Sequence, residues 1–88
     1  MTLIHTFFKM INELKKEVEG KYGKKVENRG DCEKIANAIL ELLDIEISYN
    51  TIRRLFELAP FTNPNKKTLN TLAKFVGYNN YFHFTQTY

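Results

Sequence analysis

The chain has 88 residues, 43% of them hydrophobic and 26% charged, a balance that suits one soluble globular domain and excludes a disordered chain. The single cysteine, Cys32, excludes an internal disulfide, and no apolar run approaches the ~18 residues needed to span a bilayer. The formal net charge of +3 is unevenly spread: residues 1–46 carry eight Lys/Arg against nine Asp/Glu, whereas Arg53, Arg54, Lys66, Lys67 and Lys74 face Glu57 alone in residues 47–88. A positive half can be drawn to phosphates.

Leu3, Ile4, Phe7, Phe8, Ile11, Leu14, Val18 and Tyr22 recur at steps of three and four, which predicts an amphipathic helix over 3–20 that ends near Gly20 and Gly23. This stretch lacks the basic start, long apolar run and cleavage site of a secretory signal, so the cytoplasm is the expected compartment and no membrane partner is expected. Residues 20–30 are rich in Gly and charge and read as a solvated connection; the alternative for its Lys21, Lys24, Lys25 and Arg29 is phosphate contact.

Asp31 is the expected N-cap of a second helix over 31–43, with Cys32, Ile35, Ala36, Ile39, Leu42 and Leu43 on its buried face. Residues 44–47 form a short turn. Ser48 is the expected cap of a third helix over 48–58, with Ile52, Leu55, Phe56 and Ala59 inward, Asn50, Arg53, Arg54 and Glu57 outward, and Pro60 as its stop. Asn63 as cap and Pro64 at the first helical position predict a fourth helix, with Leu69, Leu72, Ala73 and Val76 inside, Phe75 at the edge and Gly77 at the end. A last short helix from Asn79 or Asn80 is expected to bury Tyr81, Phe82 and Phe84. The predicted fold is therefore all-α, four to five short helices around one core in a single domain over 1–88: an amphipathic helix at 1–20 added to a helix-turn-helix-like core at 31–86.

Catalytic and metal chemistry find little footing. His5, His83 and Cys32 are far apart, no glycine-rich phosphate loop is present, and Ser48, the only serine, suits a cap better than a nucleophile. No enzyme activity, cofactor or metal is expected. What does carry a signal is the pair of helices around residues 44–47. A helix buried on one side and polar on the other can enter the major groove, where Arg53 and Arg54 can donate in pairs to guanine and Asn50 can pair with adenine. Ser48, Tyr49 and the amides at that helix start suit phosphate, and Lys66 and Lys67 in the first turn of the fourth helix are further phosphate clamps.

The stretch Ile47-Ser48-Tyr49-Asn50-Thr51-Ile52 resembles the S-x-x-T-[IL] opening of a recognition helix in the phage-repressor (Cro/C1-type) helix-turn-helix family. Pro64 followed by Thr68-Leu69-Asn70-Thr71-Leu72-Ala73-Lys74-Phe75-Val76-Gly77 is similar to that family's P-x-x-x-T-L-x-x-L-A-x-x-L-G helix. The closing Gly77-Tyr78-Asn79-Asn80-Tyr81-Phe82-His83-Phe84 is similar to a G-[FY]-x-S-[WY]-x-x-F tail of a divergent bacterial branch. The resemblance covers residues 31–86. It implies sequence-specific binding to double-stranded DNA, often as a dimer, in transcriptional regulation. Base contact then falls to Tyr49, Asn50, Arg53 and Arg54, and backbone contact to Ser48, Thr51, Lys66 and Lys67. The alternative is a protein-interaction or homodimerisation module that keeps the fold and uses the apolar stripe of the first helix.

Overall fold

A computed structural model of the chain describes residues 2–87, with side chains from Lys9 onward. It is all-helical: α1 (Thr2–Tyr22), α2 (Arg29–Leu43), α3 (Tyr49–Leu55), α4 (Lys66–Phe75) and α5 (Tyr81–Thr87). In α1 the apolar period lands as predicted, with Ile11, Leu14 and Val18 buried. The expected contributions of Leu3, Ile4, Phe7 and Phe8 lie outside the described side chains. The helix does not stop at Gly20. It continues to Tyr22, whose ring packs against the core, and ends where Gly23 turns to φ +102°.

Residues 23–28 are not the loose connection that their composition suggests. Val26 is buried, and its N–H donates to the Glu19 carboxylate at 2.8 Å. The cap of α2 also differs from expectation. Asn28 is the N-cap and Asp31 is the third helical residue, forming a reciprocal capping box: Asn28 Oδ1 accepts from the Asp31 N–H (2.9 Å), and Asp31 Oδ2 accepts from the Asn28 N–H (3.3 Å).

Asp31 does more than cap. It is buried, and it also accepts from the Glu27 N–H (2.9 Å), the Tyr22 hydroxyl (2.6 Å) and Lys24 Nζ (3.2 Å). The Tyr22 hydrogen bond, followed by the backbone donor at Glu27, holds its carboxyl well below the usual carboxylate range. Reciprocally, the Asp31 hydrogen bond raises the Tyr22 hydroxyl and the Lys24 ammonium above their ordinary values.

Cys32, Ile35 and Ile39 form the buried face of α2, with Ala36 and Leu43 half-buried. Leu42 departs from prediction and is 55% exposed, because no neighbouring helix covers its side of the last turn of α2. Asp44 closes α2 at φ +56°, its N–H donating to the Leu40 carbonyl at 2.9 Å. That left-handed conformation is the one a turn glycine would take, and Asp is among the few other residues that adopt it.

α3 is shorter than predicted. It ends at Leu55, several residues before Pro60, in a Schellman turn: Glu57 N–H donates to the Arg54 carbonyl (3.1 Å), and Leu58 N–H to the Arg53 carbonyl (2.8 Å). Glu57 itself adopts φ +62°. Ile52 and Leu55 are buried, while Phe56 and Ala59, beyond the helix end, are half-buried. Asn63 and Pro64 likewise do not start α4. Asn65 is its cap, accepting from the Thr68 N–H at 2.8 Å, and Pro64 lies one residue before that cap.

Along α4, Leu69, Leu72 and Ala73 are inside as predicted, but Phe75 is interior rather than marginal and Val76 is only half-buried. The helix ends in a second Schellman turn around Gly77, φ +105°. Asn80 Oδ1 accepts from the His83 N–H (2.7 Å) at the start of α5, and the Tyr81 N–H donates to Asn70 Oδ1 of α4 (2.9 Å). Phe84 is fully buried in a T-shaped contact with Tyr78, their centroids 5.0 Å apart, whereas Phe82 points outward and is 70% exposed. Of the three rings predicted to be buried there, one is fully buried and Tyr81 is partly so.

Candidate nucleic-acid interface

Residues 44–48 join α2 to α3, and the two helices pack closely on one another. Burial of Ile52 and Leu55 fixes the rotation of α3 and turns Asn50, Arg53 and Arg54 away from the core. Ser48 is the N-cap, as expected, and its Oγ accepts from the Asn50 N–H at 3.1 Å. Arg54 is exposed; Tyr49, Asn50, Thr51 and Arg53 are half-buried. Arg53 Nη1 donates to Asn50 Oδ1 at 2.8 Å, so these two side chains, one helical turn apart, act as a joined pair.

Arg29 joins this face, although sequence reading placed it in a solvated connection. Its guanidinium lies over the Tyr49 ring, 4.6 Å from the centroid, and its Nε donates to Glu33 at 3.2 Å. The signal was present but indirect: Asn28 followed three residues later by Asp31 is a capping box, which makes Arg29 the first residue of α2 and not part of a loop. Two other cations of that segment are engaged elsewhere. Lys24 pairs with Asp31 and Glu27, and Lys21 Nζ lies 5.6 Å from the Phe75 ring centroid.

Lys66 and Lys67 occupy the first turn of α4 and are exposed, as predicted. They line a different groove from the Arg53 face, together with Lys74 and with Asp44 and Glu46 of the turn between α2 and α3. Cations and acids thus face one groove of about 780 Å³ without forming an ion pair. The same is true of the whole basic half: among the described residues, none of Arg53, Arg54, Lys66, Lys67 and Lys74 has a carboxylate within ion-pair distance; of the cations in residues 1–46, Lys15, Lys16, Lys24 and Arg29 do, and Lys9, Lys21, Lys25 and Lys34 do not.

Cys32 is buried beneath this region. Burial, with Asp31 adding to it, pushes the thiol above its ordinary value against the opposing pull of Arg53. It is a packing residue. Among the described residues no cluster of three metal-ligating side chains occurs, and no helix is long and apolar enough to cross a membrane. No protein-family model matches the chain, and no match was found among curated proteins or among solved structures.

Proposed function

We propose that this chain is a double-stranded-DNA-binding domain of the Cro/C1-like helix-turn-helix kind, acting in transcriptional regulation as a binding module and not as an enzyme. In this reading α3 enters the major groove. Tyr49, Asn50, Arg53 and Arg54 meet base edges, while Ser48, Thr51, Lys66 and Lys67 hold the backbone. The observation that carries the reading is the set of five cations at positions 53, 54, 66, 67 and 74 that lack carboxylate partners. The only acid of residues 47–88, Glu57, pairs with Lys15 of α1, so the positive charge of these five is uncompensated and available to an external anion. Arg29 adds a further cation beside Tyr49.

The test is selection from random duplex DNA at two salt concentrations. Enrichment of one sequence, with affinity falling steeply as salt rises, is the expected result. Within the selected site, Arg53→Ala is expected to cost about 1–3 kcal/mol and relax one base position, and Lys66→Ala to weaken all sequences alike. Absence of duplex binding at low salt refutes the proposal. The second reading, a protein-interaction module, draws on Leu40, Leu42 and Phe82, large apolar side chains left exposed. A strictly monomeric chain by light scattering counts against its homodimeric form.

A further inference from the structure

The hydrogen bond between Arg53 and Asn50 decides what this face can read. Asn50 Oδ1 accepts from Arg53 Nη1 at 2.8 Å. The orientation of the carboxamide follows from chemistry, because a guanidinium carries only donors and the Asn50 amino group beside it would set donor against donor. With the oxygen turned to Arg53, the remaining protons of the pair are all donors: the Asn50 amino group and the free N–H groups of the guanidinium. Engagement of one Nη1 proton leaves the Nε–Nη2 edge of Arg53, with its two parallel donors, intact.

Adenine presents an acceptor (N7) beside a donor (the N6 amino group) in the major groove, so an Asn that reads it must offer its oxygen to N6 while its amino group reaches N7. Here one of the two lone pairs of Asn50 Oδ1 is already taken by the Arg53 N–H, and an adenine N6 amino group has to share the oxygen with that cation. Guanine presents two acceptors, N7 and O6, which match the free edge of Arg53. Both side chains are half-buried and stand one turn apart on a helix whose rotation is fixed by Ile52 and Leu55, so the guanidinium is held before any ligand arrives.

We infer that Asn50 is a positioning residue for Arg53, and that the pair reads guanine at one position of the DNA site. The inference rests on the reading of α3 as the major-groove element. It replaces two independent base contacts with one composite contact, and it assigns that contact a base.

Selection from random duplex DNA with the full chain and its N50A, N50D and R53A variants tests it. The readout is the guanine-over-adenine ratio at each position of the selected site, a ratio within one protein sample that does not depend on the folded fraction. The wild type is expected to select a guanine that R53A loses, with the ratio there falling about tenfold or more. N50A is expected to lower the ratio at that same position severalfold and to leave every other position unchanged. N50D keeps the acceptor for Arg53 and loses the donor for adenine N7, so guanine preference is expected to survive in it. The inference is overturned if N50A abolishes an adenine preference and spares the guanine, if N50A changes nothing, if N50D loses the guanine, or if the site contains no Arg53-dependent guanine. A wild-type chain that selects no sequence overturns instead the reading of α3 as a DNA-reading helix, and the composite contact falls with it.

Discussion

The two Schellman turns make a matched pair, and exchanging their central residues should move stability in opposite directions. Both turns close with the same two hydrogen bonds, at 3.1 and 2.8 Å after α3 and at 3.1 and 2.9 Å after α4. The central residue is Glu57 at φ +62° in one and Gly77 at φ +105° in the other. Holding an L-residue in the left-handed region costs ~1–2 kcal/mol. Glu57→Gly removes that cost, gives back ~0.5–1 kcal/mol through the larger entropy of unfolded glycine, and loses an exposed ion pair worth a few tenths of a kcal/mol. That pair is Lys15–Glu57 at 3.4 Å, its carboxylate side chain 67% exposed. The net expectation is a gain of about 0.5 kcal/mol, or a rise in Tm of roughly 2–4 °C for a domain of this size. Gly77→Ala should lose about 1 kcal/mol or more, a fall of roughly 4–8 °C. Nothing stands within 4 Å of the added Cβ, so that loss is backbone strain alone. Thermal melts followed by circular dichroism measure both. A Glu57→Gly chain that loses ~1 kcal/mol, as glycine does inside a helix, refutes the left-handed assignment; an unchanged Gly77→Ala melt refutes the strain argument.

Gly20 lies within the last turns of α1 with open space where a Cβ would go, so Gly20→Ala should stabilise by about 0.5–1 kcal/mol in denaturant melts; a loss instead would mean that the helix does not run through it. Asp31, with its folded pKa lowered, should contribute stability that is complete above the unfolded carboxylate value of about 4 and is lost as pH falls through the folded value. Asp31→Asn should therefore flatten the acid limb of the stability–pH curve, and parallel wild-type and variant curves would contradict this. In the groove shared with Lys66 and Lys67, Asp44 and Glu46 should repel DNA phosphate. Unit charges ~7 Å apart in water repel by ~0.6 kcal/mol, so Asp44→Asn and Glu46→Gln should each tighten duplex binding roughly threefold at low salt. Unchanged Kd values in a fluorescence titration would remove phosphate from that groove.

Periodicity carried the helices well, because burial of Ile11, Leu14, Val18, Ile35, Ile39 and Ile52 depends on spacing that is written in the sequence. Helix ends were less legible. Asp31, Pro60 and Asn63 are each sound signals in isolation, yet Asn28, the turn at Glu57 and Asn65 prevailed. A cap is chosen by which neighbouring side chains can complete it, and Asp31 forms more hydrogen bonds three residues into α2 than it could in front of it. Helical period places Leu42 inward and hydrophobicity does the same for Phe82, and only the placement of neighbouring helices determines that they face out. At the candidate interface, the outward face of α3 followed from its apolar stripe. The Arg53–Asn50 bond and the Arg29–Tyr49 contact did not, because one depends on rotamers and the other on how α2 lies against α3.

The Asp31 carboxylate touches the end of α1 through Tyr22, the connection through Lys24 and Glu27, and the start of α2 through Asn28. Fraying of the last turn of α1 exposes a carboxylate that α2 needs for its own first turn. Peptide groups near residues 22 and 31 should therefore exchange their protons with solvent as one cooperative unit. The first turn of α2 also carries Arg29 and lies against α3. A break at that single acid would loosen the support behind Tyr49, so a boundary of local stability runs beside the surface proposed to meet DNA.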